Sequence, residues 1–261
     1  MPAYETIEFE TQNRVAIITL NRPDAANGLN AKMASELADI AGKCNSNADI
    51  RAVILTANGR FFCAGGDIKE MHSHGDKVGV EIKSLADDLH IAISIFARME
   101  APLIVAVNGM AAGAGFSLAV SGDLVIASEK SGFMMAYTNA GLSPDGSSSY
   151  FLPRIIGLRR TQELMLTNRK LSAEEALDWG LINEAVPADR LLERAMEFAE
   201  RLAAGALNSH AAVKKLLLLS HHNSLEDQME LEGQMISECA VSSNGRAGIN
   251  AFVEKRKPEF E

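Results

Sequence analysis

The stretch PLIVAVNGMAAGAGFSLAV, residues 102–120, sets a short apolar segment, Leu103–Val107, against a glycine-rich turn that runs into a second apolar segment. An apolar run of this length behind a proline reads as a strand buried on both faces. The same unit recurs on either side. Upstream, AVILT (residues 52–56) precedes the turn residues Asn58 and Gly59 and the segment FFCAGGDIKEM (residues 61–71). Downstream, LVIAS (residues 124–128) precedes FMMA (residues 133–136) and GLSPDGSSS (residues 141–149). A polar helical stretch runs from about residue 78 to 99, between the first two units. Before them, Ile7 and Phe9 alternate with polar neighbours, and VAIITL (residues 15–20) reads as a more buried strand. Met33, Leu37, Ile40, Ala41 and Cys44 recur at helical spacing, predicting an amphipathic helix of about three turns. Buried strands alternating with helices define an α/β domain.

After Pro153 the pattern becomes almost entirely helical. Ser172 and Glu175 have the spacing of a capping box, in which each side chain satisfies the other's backbone N–H. Further helices are expected at about residues 189–204, 209–220, 224–238 and 246–256. The last three have no strand to cover their apolar faces, so they are expected to pack on another subunit. The chain therefore divides into a core, residues 1–198, and a C-terminal helical oligomerisation region, residues 199–261.

Of the 261 residues, 47% are hydrophobic and the net charge is −9. That balance argues against a nucleic-acid partner, whose binding rests on neutralising phosphates with Lys and Arg. Cys44, Cys63 and Cys239 are odd in number and form no CxxC pair, as expected of reduced thiols in the cytoplasm. The N-terminus, MPAYETIEFE, has no apolar leader segment, and no apolar run is long enough to span a bilayer.

Three segments carry more glycine and small residues than packing alone requires: residues 61–71, 108–116 and 141–149. The middle one has the order G-x-x-x-G-x-G rather than G-x-G-x-x-G and lacks a Walker lysine, which argues against a dinucleotide or P-loop site. Two readings stand for it: exposed backbone N–H groups suited to a negative oxygen, or close helix–strand packing through small residues. Asp145, between Pro144 and Gly146, is either an ordinary turn aspartate or, if desolvated, a base or nucleophile. His72 and His74 sit two apart without a third metal ligand at suitable spacing, and no metal site is expected. Ser147–Ser149 lack the G-x-S-x-G frame of a nucleophile elbow.

Five motifs together resemble the crotonase (enoyl-CoA hydratase/isomerase) superfamily: LNRP (residues 20–23), FCAGGDI (62–68), PLIVAVNG (102–109), ALDWGL (176–181) and the tail AFVEKRKPEF (251–260). They occur in the family's order and cover nearly the whole chain. The resemblance implies a spiral of ββα turns with two roughly perpendicular sheets, and a C-terminal helical region that builds trimers or hexamers. It also implies a CoA thioester substrate, with no metal and no cofactor beyond the coenzyme A of the substrate itself. By motif position, the backbone N–H groups of Gly66 and Ala114 are the implied oxyanion donors, Ala114 standing where glycine is more usual. Ala64, Asp67, Ile68, Lys69 and Ala112 are implied to border the bound substrate, with Arg22 and Ala25 near the nucleotide end. Lys255 is implied to supply positive charge from the tail across a subunit boundary.

The hydratase branch carries two glutamates that activate water; at the corresponding positions this chain has Ser117 and Tyr137. The surviving carboxylate, Asp145, stands in a setting like that of the aspartate-bearing enoyl-CoA isomerases, where one carboxylate moves a proton from carbon to carbon. The stretch from Ser149 to Leu181 also resembles chlorobenzoyl-CoA dehalogenase, in which the aspartate attacks the aromatic ring, and His90 falls where that enzyme's histidine would. The pocket positions that grip the ring there hold Gly66 and Leu89 here, and only Tyr137 keeps an aromatic. The expectation is an enoyl-CoA isomerase with Asp145, Gly66, Ala114, His90 and Tyr137 at the catalytic site. A dehalogenase-like hydrolase, a hydratase or lyase, and a non-catalytic crotonase-fold binding or assembly module are the alternatives.

Overall fold

The computed structural model describes residues 4–261; residues 1–3, which open both the expected core and the N-terminal stretch read for a leader, lie outside them. Strands β1 (Ile7–Gln12) and β2 (Val15–Leu20) form an antiparallel hairpin. Helix α1 (Ala31–Ser46) follows, started by Asn30, whose side chain accepts from the Met33 N–H. At 16 residues it is longer than the three turns expected. Then come β3 (Ala52–Ala57), β4 (Phe61–Cys63), α2 (Ile68–Ser73), α3 (Val78–Arg98), β5 (Leu103–Val107), β6 (Met110–Ala112), α4 (Ala114–Ala119), β7 (Leu124–Ser128) and β8 (Gly132–Met134).

Each turn of the chain lays one strand in each of two sheets. β3, β5 and β7 are parallel neighbours in a six-stranded sheet of order β1-β2-β3-β5-β7-β10, while β4, β6 and β8 are parallel neighbours in a four-stranded sheet. Parallel neighbours cannot be joined by a tight hairpin, so the strand in the other sheet and the helix after it make the crossover. This is the expected ββα spiral.

The remaining elements are α5 (Ser148–Ile155), α6 (Leu158–Thr167), β9 (Leu171–Ser172), α7 (Ala173–Asp178), β10 (Glu184–Val186), α8 (Leu191–Ala203), α9 (Leu207–Leu219), α10 (Leu225–Val241) and α11 (Ser243–Val253). The expected capping box is made at the start of α7. The almost entirely helical reading after Pro153 needs correction, because β9 pairs with β8 and β10 extends the large sheet beside β7. Strands of two and three residues carry too little periodicity to show in sequence; partner backbones make them.

Successive residues of the large sheet enter two separate cores. Ala16, Ile18, Val53, Leu55, Leu103 and Val105 pack in one, and Val15, Ile17, Ala52, Ile54, Ile104 and Ala106 in the other. The period of two in a strand produces this split, and a sheet covered on both faces selects the continuous apolar runs seen in the sequence. The second core is closed by Leu191, Ala195, Ala199 and Ala203, one stripe of α8 at four-residue spacing. The division between residues 198 and 199 falls within this stripe. Helix α3, read as polar, is amphipathic: Ala86, Leu89, Ala92, Ile93 and Phe96 are buried.

Close approach of the spiral's layers dictates glycine at position 115, where a Cβ would lie 2.2 Å from the carbonyl oxygen of Cys63. Gly115→Ala is expected to destabilise the fold by about 1–3 kcal/mol, read as a thermal midpoint lowered by roughly 2–4 °C per kcal/mol. Among the described residues, no helix is long and apolar enough to cross a membrane.

Candidate active site

The ends of β4 and β6 bring two glycine-rich segments side by side. Gly65 has φ +102° and Gly113 φ +51°, both in backbone regions that side chains avoid. A Cβ on Gly65 would lie 3.5 Å from Gly113 Cα, so the segments pass almost backbone to backbone. The residue after each of these glycines, Gly66 and Ala114, presents an N–H that donates to no acceptor among the described residues. Ala114 is the first residue of α4, where the N–H has no partner within the helix. Its methyl group leaves that N–H in place.

Both residues line one cavity of about 530 Å³. Ala64, Ile68, His90, Tyr137 and Asp145 line it too, and Asp145 is the sole carboxylate among its lining residues. Met71, Ile82, Leu85, Ala86 and Leu142 complete an apolar wall that sequence reasoning did not assign. Its signal was present in the helical spacing of Ile82, Leu85, Ala86 and Leu89, which the charged residues of α3 obscured.

In the cavity lining the Tyr137 hydroxyl donates to Asp145 Oδ1 at 2.7 Å, and it lies 2.9 Å from the buried Ser117 Oγ. Burial, and then the negative charge of Asp145, pushes the Tyr137 phenol far above the ordinary tyrosine range, so it stays protonated. His90 Nε2 accepts the Gly146 N–H at 3.2 Å and lies 3.7 Å from Asp145 Oδ2. Ser117 is fully buried, and a Cβ on Gly146 would come within 2.8 Å of Ser117 Cβ. The loop carrying Asp145 thus lies against Ser117.

The other predicted substrate contacts lie outside the cavity lining. Asp67 caps the start of α2 by accepting from the Glu70 N–H and pairs with Arg22 at 3.0 Å. Against its burial, these partners hold the Asp67 carboxyl below its usual range. Arg22 also donates to the Gly28 carbonyl, and the Ala25 carbonyl accepts the Gly28 N–H. Arg22, Ala25 and Asp67 therefore brace the loop between β2 and α1 against the segment that carries Gly66. Ala112 is buried in β6, Lys69 is exposed on α2, and Lys255 is exposed just past α11. Burial pushes the Cys63 thiol up to about 11, which leaves it a neutral packing group. Among the described residues, no three His, Cys, Asp or Glu side chains form a metal-ligand group.

A spiral of this kind, with paired N–H groups at its glycine-rich turns, defines a crotonase-fold acyl-CoA enzyme. The family model described as "Enoyl-CoA hydratase/isomerase" matches residues 10–261, and the chain belongs to that family. It is 38% identical over 258 residues to a probable enoyl-CoA hydratase of Rhodobacter capsulatus, covering 99% of this chain and 98% of that one. It is 34% identical over 264 residues to the 1,2-epoxyphenylacetyl-CoA isomerase of Escherichia coli, covering 98% of each. The solved structure of an enoyl-CoA hydratase from Polaromonas sp. JS666 matches with a TM-score of 0.93 at 33% identity, covering 98% of this chain and 99% of that one.

Proposed function

We propose that the protein shifts a double bond within an enoyl-CoA, with Asp145 as proton carrier and the Gly66 and Ala114 N–H groups holding the thioester oxygen. One observation carries the reading: Asp145 is the sole carboxylate lining a cavity that also presents both free N–H groups. Hydrogen bonds to the thioester oxygen draw electrons from C2 and acidify its protons. The carboxylate takes a proton from C2, the negative charge spreads onto the oxygen between the two N–H groups, and the resulting acid returns the proton at C4. One carboxylate serves both steps. Hydration by a carboxylate pair has no second partner here, because Ser117 and Tyr137 stand beside Asp145.

A second reading, displacement of halide from a halobenzoyl thioester by Asp145 with His90 activating water, is supported by the 3.7 Å approach of His90 to Asp145. A panel of a trans-3-enoyl, a trans-2-enoyl and a halobenzoyl thioester separates the readings. Turnover of the trans-3-enoyl thioester to its 2-enoyl isomer is expected. Halide release by wild type that is lost in His90→Gln would replace this reading with the second. Rapid hydration of the trans-2-enoyl thioester would show that a carboxylate pair is dispensable.

The reaction so written asks for no cofactor or metal, and coenzyme A enters as part of the substrate. Self-association belongs to the same proposal. Leu225, Met229 and Ile236 of α10 and Phe252 of α11 are 68%, 52%, 71% and 87% exposed, and α10 buries none of its residues within the chain. Covering these faces with copies of the chain would bring the Lys255 tail toward a neighbour's site. Sedimentation as a trimer or hexamer is expected, and a monomer would overturn it. The acidic balance argues against a nucleic-acid partner, and the free thiols Cys44, Cys63 and Cys239 support a reducing, cytoplasmic setting.

A further inference from the structure

We infer that Ser117 and Tyr137 form a clamp that pins Oδ1 of Asp145 and leaves Oδ2 as the single oxygen that carries the proton. The clamp rests on the proton-carrying role proposed above and assigns work to two positions that in a hydratase would bear glutamates. Its direction follows from counting protons. The phenol has one hydrogen, and the 2.7 Å contact to a carboxylate oxygen takes it. The Ser117 hydroxyl must then donate across the 2.9 Å contact to the phenolic oxygen, in preference to its weaker 3.4 Å approach to the Gly113 carbonyl. The resulting order is Ser117 to Tyr137 to Asp145.

Two further features agree with a built device. Ala136, directly before Tyr137, has φ +57°, a strained conformation for alanine that turns the chain as Tyr137 enters the cavity. Gly146, directly after Asp145, donates its N–H to His90 Nε2. The lone pair of that nitrogen is engaged by this N–H, and at 3.7 Å it makes no hydrogen bond to Oδ2. Oδ2 is thus the carboxylate oxygen without a donor among the described residues, free to take the proton from C2 and return it at C4. Burial, and then the charge of Asp145, pushes the phenol upward, which keeps it a donor.

Tyr137 and Ser117 are positioning residues, so the test combines kinetics with a signature read without substrate. In proton NMR of the free protein, the Tyr137 hydroxyl is expected as a slowly exchanging resonance downfield of the amides. It should be missing in Tyr137→Phe and displaced in Asp145→Asn. With a trans-3-enoyl thioester, Tyr137→Phe is expected to lower kcat about 10- to 100-fold with KM within about twofold. Ser117→Ala should lower kcat less, and the double variant should lose no more than Tyr137→Phe alone, because both substitutions break one chain. Circular dichroism melts identify any variant that has lost its fold, and the hydroxyl resonance in wild type and Asp145→Asn then still decides whether the clamp exists. Absence of the resonance from wild type, an unchanged kcat in folded Tyr137→Phe, or multiplying losses in the double variant would each overturn the clamp. A wild type that shows the resonance but moves no double bond would overturn the role given to Asp145 instead.

Discussion

Asp145→Asn is expected to lower kcat for a trans-3-enoyl thioester by about 10²–10⁴-fold, the usual contribution of a positioned acid–base group, while KM stays within about twofold. The substitution is nearly isosteric. The amide oxygen can still accept from Tyr137, and the loop held by the hydrogen bond from Ser148 Oγ to the Asp145 carbonyl is unaltered. What is lost is a group able to take up a proton and give it back. Steady-state rates across an acyl-length series measure the effect, with a denaturation curve to show that the fold persists. Equal isomerase activity in both proteins would remove Asp145 from the chemistry.

Ala114→Pro should have a comparably large effect through the backbone. Ala114 is the first residue of α4, the helical position where proline is best tolerated because its missing N–H would have no helical partner. The exchange therefore deletes one oxyanion donor at small cost to the helix. Loss of one such donor lowers kcat by about 10²–10³-fold. A second readout is the carbonyl stretch of a bound enoyl thioester, which shifts to lower frequency in wild type and should shift less in the variant. Unchanged kcat and an unchanged carbonyl shift in the folded variant would show that the Ala114 N–H faces no reacting oxygen.

The contrast between these two positions shows where sequence reasoning reached. The segments holding Gly66 and Ala114 were legible because close backbone passage demands small residues, and that demand persists in the composition of residues 61–71 and 108–116. The large sheet was legible for a related reason. Strands such as β3, buried on both faces, must be apolar at every position. The apolar wall from α3 was obscured, since Glu81, Lys83, Asp87 and Asp88 interrupt its apolar spacing. β9 and β10 carried no pattern, because two or three residues become a strand only when a partner backbone is placed beside them. The loop-bracing contacts of Arg22 and Asp67 join residues 45 positions apart and have no local signature.

By itself, then, the sequence determined the α/β class, the positions of the strand–glycine units and, through its motifs, the superfamily. Through the same resemblance it is read as carrying Ser117 and Tyr137 where a hydratase is expected to carry its glutamates. Local spacing and small-residue composition suffice for the class and the strand–glycine units, because each is imposed within one segment; the superfamily rests on motifs spread along the whole chain. Only the tertiary structure decided that Ser117, Tyr137 and Asp145 form one hydrogen-bonded chain, and that His90 accepts the Gly146 N–H while lying 3.7 Å from Asp145. Those contacts join α3, α4 and the loop before α5. Hydrogen bonds a few ångströms long depend on how these elements pack, and packing is set by the whole core rather than by any one stretch of chain.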